Sequence, residues 1–326
     1  MFADRPPETI HDRILIIRAS GQLRGIDIVG TQRFAENTHY QRFAPGEYLS
    51  RANEPVRWLH MIYDGDVEIR PAVGPPFVIE PPSGVGWPSF FSQADTNVDA
   101  VALTHVSSLA LAPMVTLDLF ENNFSLVRNT LRLICETLLE KLGSIPKADP
   151  ETPLGPYPER ALTLVERMIE VSSNSLFRRA NADAVTAFAR METEIAFEPG
   201  DVLWRRGDRS ETRISLTYGR VRCTMESGES VVISAPYTLG FLDAMASGVR
   251  IYDVVCETRV VLREANMSPM MQILEDHPSV ALDMIGLLSR WTWGIPDPFA
   301  KAKSEQAPAL LPDTPAPTAS PAAASA

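Results

Sequence analysis

"FAPGEYL" runs from Phe43 to Leu49 and "FEPGDVL" from Phe197 to Leu203, an offset of 154 residues (197 − 43). In both, Pro-Gly stands between apolar residues. That pair suits a type II turn, because proline fixes φ at the second position and glycine takes the positive φ at the third. The same offset pairs Phe34 with Phe188, Arg51 with Arg205, Gly65 with Gly219, Val78–Ile79 with Val232–Ile233, Pro82 with Pro236, Gly86 with Gly240 and Glu121 with Glu275. No gap is needed between Phe34 and Ser125. A period this long exceeds any solenoid unit and matches a whole domain, so the chain reads as a tandem duplication.

Each half follows one order of elements. Helical patterns open them, "PETIHDRILIIRAS" from Pro7 and "PERALTLVERMIEVSS" from Pro158. In the second, Leu162, Val165, Met168, Ile169 and Val171 recur at helical spacing, and Pro158 suits a first turn. Short alternating segments follow, such as "WLHMIYDGDVEIR" and "RISLTYGRVRCTM", broken by Gly, Pro, Asp and Asn. These predict antiparallel strands. Each half then closes with helices, "APMVTLDLFENNFSLVRNTLRLICETLLEKL" and "SPMMQILEDHPSVALDMIGLLSRWTW". The predicted fold class is α+β, mainly β: two tandem antiparallel β-roll (jelly-roll) domains, each flanked by helices. The expected boundaries are 1–142 for the first domain, 143–157 for a linker and 158–297 for the second. A Pro/Ala-rich tail over 298–326 is expected to be disordered, since it has little apolar surface to bury.

Composition narrows the function. With 326 residues, 45% of them apolar, and a net charge of −11, the chain has ample core and no general affinity for nucleic acid or anionic membrane. No apolar run reaches membrane-span length and no signal peptide is written at the N-terminus. Cys135, Cys223 and Cys256 are scattered and odd in number, which predicts buried thiols in a cytoplasmic protein. No metal-ligand spacing and no nucleophile–base motif is present, so neither a metal site nor an enzyme is expected.

The repeated "PG" phrase, "DGDV" at Asp64–Val67 and "YGRV" at Tyr218–Val221 resemble the cyclic-nucleotide-binding domain of the bacterial catabolite activator and the protein kinase A regulatory subunit. The resemblance covers roughly residues 5–142 and 158–295. It implies a phosphate-binding cassette in each half, with a glycine, a glutamate for the ribose hydroxyl and an arginine for the phosphate. In the second half the cassette position is "LGFLDAMASGVRIYDVVCET", Leu239–Thr258. Gly240 and Arg250 match. Phe241 replaces the glutamate, Asp243 a small residue, and Ile251 follows the arginine. In the first half Gly86 remains, Trp87 stands at the glutamate position, and the arginine position falls on Thr96 or Asn97. That pocket looks degenerate. Arg250 is read either as a clamp for phosphate or carboxylate, or as the local partner of Asp243 or Asp253. Phe241 and Trp87 are read as core fillers or as stacking platforms.

Two roles stay open. One is a non-enzymatic regulatory protein that senses a cyclic nucleotide or other small anion through the second domain. The other is an adaptor with both pockets lost, acting through protein contacts. No cofactor is expected beyond a cyclic-nucleotide ligand. After Trp293, prolines leave no room for a helix-turn-helix, so no nucleic acid partner is expected. A protein partner or a homodimer is. Leu126, Leu133, Leu138 and Leu142 on the long helix could serve a dimer or be buried against the second domain.

Overall fold

The computed structural model describes residues 6–20, 26–71, 75–92, 98–142, 157–158, 160–177, 179–246 and 248–292. The first half runs α1 (Ile10–Ala19), α2 (Ile28–Asn37), β1 (His39–Phe43), β2 (Tyr48–Ser50), β3 (Leu59–Asp64), β4 (Val67–Pro71), β5 (Phe77–Ile79), β6 (Ser83–Val85), α3 (Trp87–Ser92), β7 (Val98–Ala102), β8 (Val106–Leu111), α4 (Pro113–Glu121) and α5 (Phe124–Leu142). The second runs α6 (Leu164–Ser173), a 3₁₀ turn (Ser175–Phe177), α7 (Ala182–Met191), β9 (Thr193–Phe197), β10 (Val202–Trp204), β11 (Thr212–Tyr218), β12 (Arg220–Thr224), β13 (Ser230–Ser234), β14 (Tyr237–Leu239), α8 (Phe241–Ala246), β15 (Asp253–Cys256), β16 (Val260–Asn266), α9 (Met267–Asp276) and α10 (Pro278–Thr292). An offset of 154 carries α1 onto α6, α2 onto α7, β1 onto β9 and α3 onto α8 residue for residue.

Each half is an antiparallel roll of two four-stranded sheets. The first has orders β1-β8-β3-β6 and β2-β7-β4-β5, the second β9-β16-β11-β14 and β10-β15-β12-β13. Among the described residues, no sheet mixes strands of the two halves. The duplicated phrase makes the expected turn in both. Glu47 N donates to Ala44 O at 3.0 Å and Asp201 N to Glu198 O at 3.1 Å, with φ of +87° at Gly46 and +91° at Gly200. A side-chain carboxylate closes each turn from outside, Glu47 accepting from Ala44 N and Asp201 from Glu198 N. The rolls are filled separately, the first around Ile62, Val67, Ile69 and Val106, the second around Trp204, Leu216, Val221, Ile233 and Val254.

Helix entry is also duplicated, by residues that the periodicity did not single out. Thr9 with Asp12 and Thr163 with Glu166 form reciprocal capping boxes at α1 and α6. Asp27 and Asn181 cap α2 and α7. The expected first turn at Pro158 is therefore corrected: α6 begins at Leu164, where Thr163 satisfies the open amides. Val165 and Ile169, read as part of an apolar face, are 65% and 64% exposed, and the buried residue of α6 is Val171.

The closing helices do not stay with their own rolls. α5, from the first half, packs on α8 of the second, and α10, from the second half, packs on α3 of the first. α5 and α10 also pack on each other. The exchange is reciprocal, as in an isologous dimer interface, but lies within one chain. Val127, Leu131, Cys135 and Leu138 of α5 and Ala281, Met284, Ile285 and Leu288 of α10 enter one apolar cluster with Phe34, Phe91, Phe188 and Phe241. Leu126 and Leu138 are buried in this cluster; Leu133 stays half-buried, and the Leu142 side chain lies outside the described residues. The linker lies outside them except at Tyr157, as does the tail.

A buried charge network distinguishes the halves. In the second, Glu192 pairs with Arg213 at 2.7 Å and Arg263 at 3.3 Å, and Arg263 also pairs with Glu170. The side chains of Glu192 and Arg213 are each 1% exposed. Subtracting 154 places Ile16, Thr38, Leu59 and Leu109 at the corresponding sites, all of them buried. One fold thus accommodates both solutions. Removing one partner of a buried ion pair strands the other charge, whereas replacing the whole set with apolar side chains is often neutral. Arg213→Leu should therefore cost about 3–5 kcal/mol in urea unfolding. The quadruple variant that copies the first half (Glu170→Ile, Glu192→Thr, Arg213→Leu, Arg263→Leu) should recover most of that loss. A quadruple variant weaker than the single one would contradict the equivalence.

Candidate functional site

The second cassette begins where β14 ends. Gly240 has φ +77°, and a Cβ on it would collide with Arg250 Nη1, so glycine is required by both backbone and neighbour. α8 then turns back toward the roll: Gly248 N donates to Asp243 O at 2.9 Å, and Ser210 N to Gly248 O at 2.7 Å. Arg250 is fixed on the other side by its own backbone, its N–H donating to Asp208 O and its carbonyl accepting from Gly207 N, each at 2.9 Å.

This brings Gly240, Asp243 and Arg250 together, as the sequence proposed, and buries them. Arg250 is 3% and Asp243 2% exposed. Arg250 Nη1 donates to Asp243 Oδ2 at 3.2 Å and to Gly240 O at 3.3 Å, and Nη2 donates to Thr212 O at 2.7 Å and Thr212 Oγ1 at 3.0 Å. The Trp204 ring covers the guanidinium, with Cζ 4.0 Å from the ring centroid. Ser210 Oγ donates to the same Asp243 oxygen at 3.2 Å. Of the two readings of Arg250, the geometry is that of the local ion pair. Asp253, the other candidate partner, instead accepts from Arg206 N at 2.7 Å. Trp204, Ser210 and Thr212 were not legible as site residues. They come from two strands, β10 and β11, and the loop between them, about 40 residues away, and nothing in their local pattern points at Arg250.

Phe241 lies in the helical core with α5 and α10, not in the interior of the second roll. Ile251 packs against the roll interior, beside Tyr252. Burial pushes the Tyr252 phenol well above its usual range, against a smaller opposing hydrogen bond from the Gly240 backbone, so it stays protonated. Trp204 and Tyr252 pack at 6.0 Å between ring centroids. Aromatic side chains thus occupy the roll side of Arg250, and the apolar face of α8 is taken by helices.

The first cassette has the same backbone and different chemistry. Gly86 has φ +89° and leads into α3. Trp87 stacks on Phe34, with centroids 6.1 Å apart and planes 13° from parallel, and lies 6.3 Å from Phe120 and 6.4 Å from Phe91. Its indole N–H donates to His60 O at 3.1 Å. Trp87 and Phe241, one offset apart, therefore both pack against the helical core. Thr96 and Asn97 lie outside the described residues. Trp291, at the end of α10, is 40% exposed.

Cys135, Cys223 and Cys256 are all free and buried, and burial raises each thiol, Cys223 to about 12 and Cys256 to about 11. Among the described residues, no three His, Cys, Asp or Glu side chains gather as a metal cage, and no helix is long and apolar enough to cross a membrane.

No protein-family model and no curated protein matches the chain. Among solved structures it is similar to the regulatory subunit of a cAMP-independent protein kinase A from Trypanosoma brucei, at 17% identity over 91% of this chain and 94% of that one, with a TM-score of 0.35. It is similar also to the regulatory domain of Toxoplasma gondii PKA with cAMP, at 12% identity over 93% and 99% of the two chains, TM-score 0.33. The regulatory subunit from Trypanosoma cruzi bound to guanosine matches at 14% identity over 93% and 94%, TM-score 0.35.

The wall behind Trp87 carries a titratable group. His60, 1% exposed, contacts Ser108 Oγ through Nδ1 at 3.1 Å, and burial lowers its pKa from 6.5 to about 4. A ring held neutral in the folded state and free to protonate in the unfolded one favours folding fully above pH 6.5. That contribution, about 3 kcal/mol, is lost as pH falls from 6.5 through 4. His60→Ile, which copies Ile214 of the second roll, should flatten this part of the stability profile. Urea midpoints of wild type and variant between pH 7.5 and pH 4.5 check it, and parallel profiles would refute the assignment.

Proposed function

We propose that the protein is a non-enzymatic regulatory scaffold. Its two cyclic-nucleotide-binding-like rolls are closed to nucleotide, and it works through contacts with a protein partner. The observation that carries this reading is the state of Arg250. A guanidinium that clamps a ligand phosphate must offer donors to a cavity. Here both terminal nitrogens are engaged by Asp243, Gly240 and Thr212 under the Trp204 ring. A nucleotide phosphate would have to displace a buried carboxylate and would meet its negative charge on arrival. With Phe241 turned into the helical core, position 241 offers a ribose hydroxyl no acceptor, and an unpaired buried hydroxyl costs about 1–3 kcal/mol. The first roll has no cation among the described residues of its cassette and seats Trp87 among the rings of Phe34, Phe91 and Phe120.

The exchanged helices support the scaffold role. With α5 on α8 and α10 on α3, the two cassette helices are held by one shared core, which suits a fixed presenting surface better than a domain that moves on ligand binding.

Calorimetry and thermal unfolding with cAMP, cGMP and cyclic dinucleotides test the reading. A ligand at 100 times its dissociation constant would add about 2.7 kcal/mol of stability. The expected result is no heat and no shift at millimolar nucleotide. Saturable binding that Arg250→Ala abolishes would overturn the closed-cassette reading in favour of a ligand sensor.

A further inference from the structure

We propose that Asp243 is a built-in anion: its carboxylate fills an anion site centred on Arg250, and so pegs α8, and through α8 the exchanged helix α5, to the second roll. The inference rests on the closed-cassette reading above and gives it a cause within the chain.

A guanidinium that is 3% exposed needs a counter-charge, because desolvating an unpaired ion costs several kcal/mol. Its other acceptors are two carbonyls and one hydroxyl, on Gly240 and Thr212, which carry dipoles and no charge. The negative charge comes from Asp243 Oδ2, which Ser210 Oγ also engages. The ends of this assembly belong to different elements. Asp243 is on α8, Thr212 opens β11, and Arg250 leads into β15. Phe241, Met245 and Ala246 of the same short helix enter the core shared with α5. One ion pair therefore ties the roll to a helix contributed by the other half.

The first half shows that the device is not a requirement of the fold. One offset earlier, Ser89 stands for Asp243, Val56 for Ser210, Trp58 for Thr212 and Ser50 for Trp204. The whole set is present in one roll and missing from the other, as expected of side chains that act as a unit. The site left by truncating Asp243 is small, flanked by a guanidinium and the Ser210 hydroxyl. Its chemistry fits a small carboxylate such as formate, and it is too confined for a nucleotide.

The test is chemical rescue in full-length protein, in a buffer free of chloride. Asp243→Ala should raise the unfolding equilibrium constant by roughly a hundredfold or more, since it strands a buried charge. Sodium formate should restore a large part of that loss while shifting wild type only by the general salt effect. Amide hydrogen exchange over Val127–Leu138 should quicken in the variant and slow again with formate. Asp243→Ala/Arg250→Leu should lose the formate response. If Asp243→Ala does not fold, Asp243→Asn keeps shape and the Ser210 hydrogen bond while removing the charge, and it should still be destabilised at least about tenfold. The proposal is overturned if formate acts equally on Asp243→Ala and wild type, or if Asp243→Asn is as stable as wild type. The two readings fail separately: nucleotide binding by wild type defeats the closed cassette, whereas formate-insensitive Asp243→Ala defeats only the built-in anion.

Discussion

The reciprocal exchange of α5 and α10 is the contact on which the rest of the molecule depends. A roll covers its own interior with two sheets, but the short cassette helix at its mouth has an apolar face that the roll cannot reach. In this chain Trp87 with Phe91, and Phe241 with Met245, carry those faces. Each is covered by a helix from the opposite half. Because the covering is mutual, neither half can bury its cassette helix without the other. The two rolls, whose interiors are independent, become one compact unit, Met1–Ile295.

That constraint explains the fate of the two cassettes. The residue after the duplicated turn glycine, 87 in one half and 241 in the other, is the first of the cassette helix and packs against the shared core. A glutamate there would place a carboxylate among Phe, Leu and Met side chains, at a cost no nearby donor offsets. Aromatic residues at both positions are what the exchanged helices demand. In the second half Arg250, which follows the same helix, is paired with Asp243 within the chain.

The halves also show two physical solutions to one packing problem. Ile16, Thr38, Leu59 and Leu109 are buried without an ion pair where α1 and α2 meet the first roll, while Glu170, Glu192, Arg213 and Arg263 form a charge network where α6 and α7 meet the second. Buried networks of this kind contribute little net stability over well-packed apolar side chains. Helix α1 carries Ile16 where α6 carries Glu170, the partner of Arg263 in the second roll.

The sequence by itself determined the duplication, the turn at each Pro-Gly, the strand and helix order and the candidate cassettes. These depend on local chemistry: the φ that glycine permits at 46 and 200, the alternation of side chains along a strand, the spacing of apolar residues around a helix. It identified Gly240, Asp243 and Arg250 as neighbours because a single short helix separates them. Tertiary structure alone decided which half's helix covers which cassette, that Val165 and Ile169 face solvent, and that Trp204, Ser210 and Thr212 complete the surroundings of Arg250. The apolar stripe on α5 is equally suited to its own roll, to the other half or to a second copy, and periodicity carries no address. Whether an arginine waits for a ligand or is already paired depends on side chains brought together from distant strands, and only the folded chain puts them within reach.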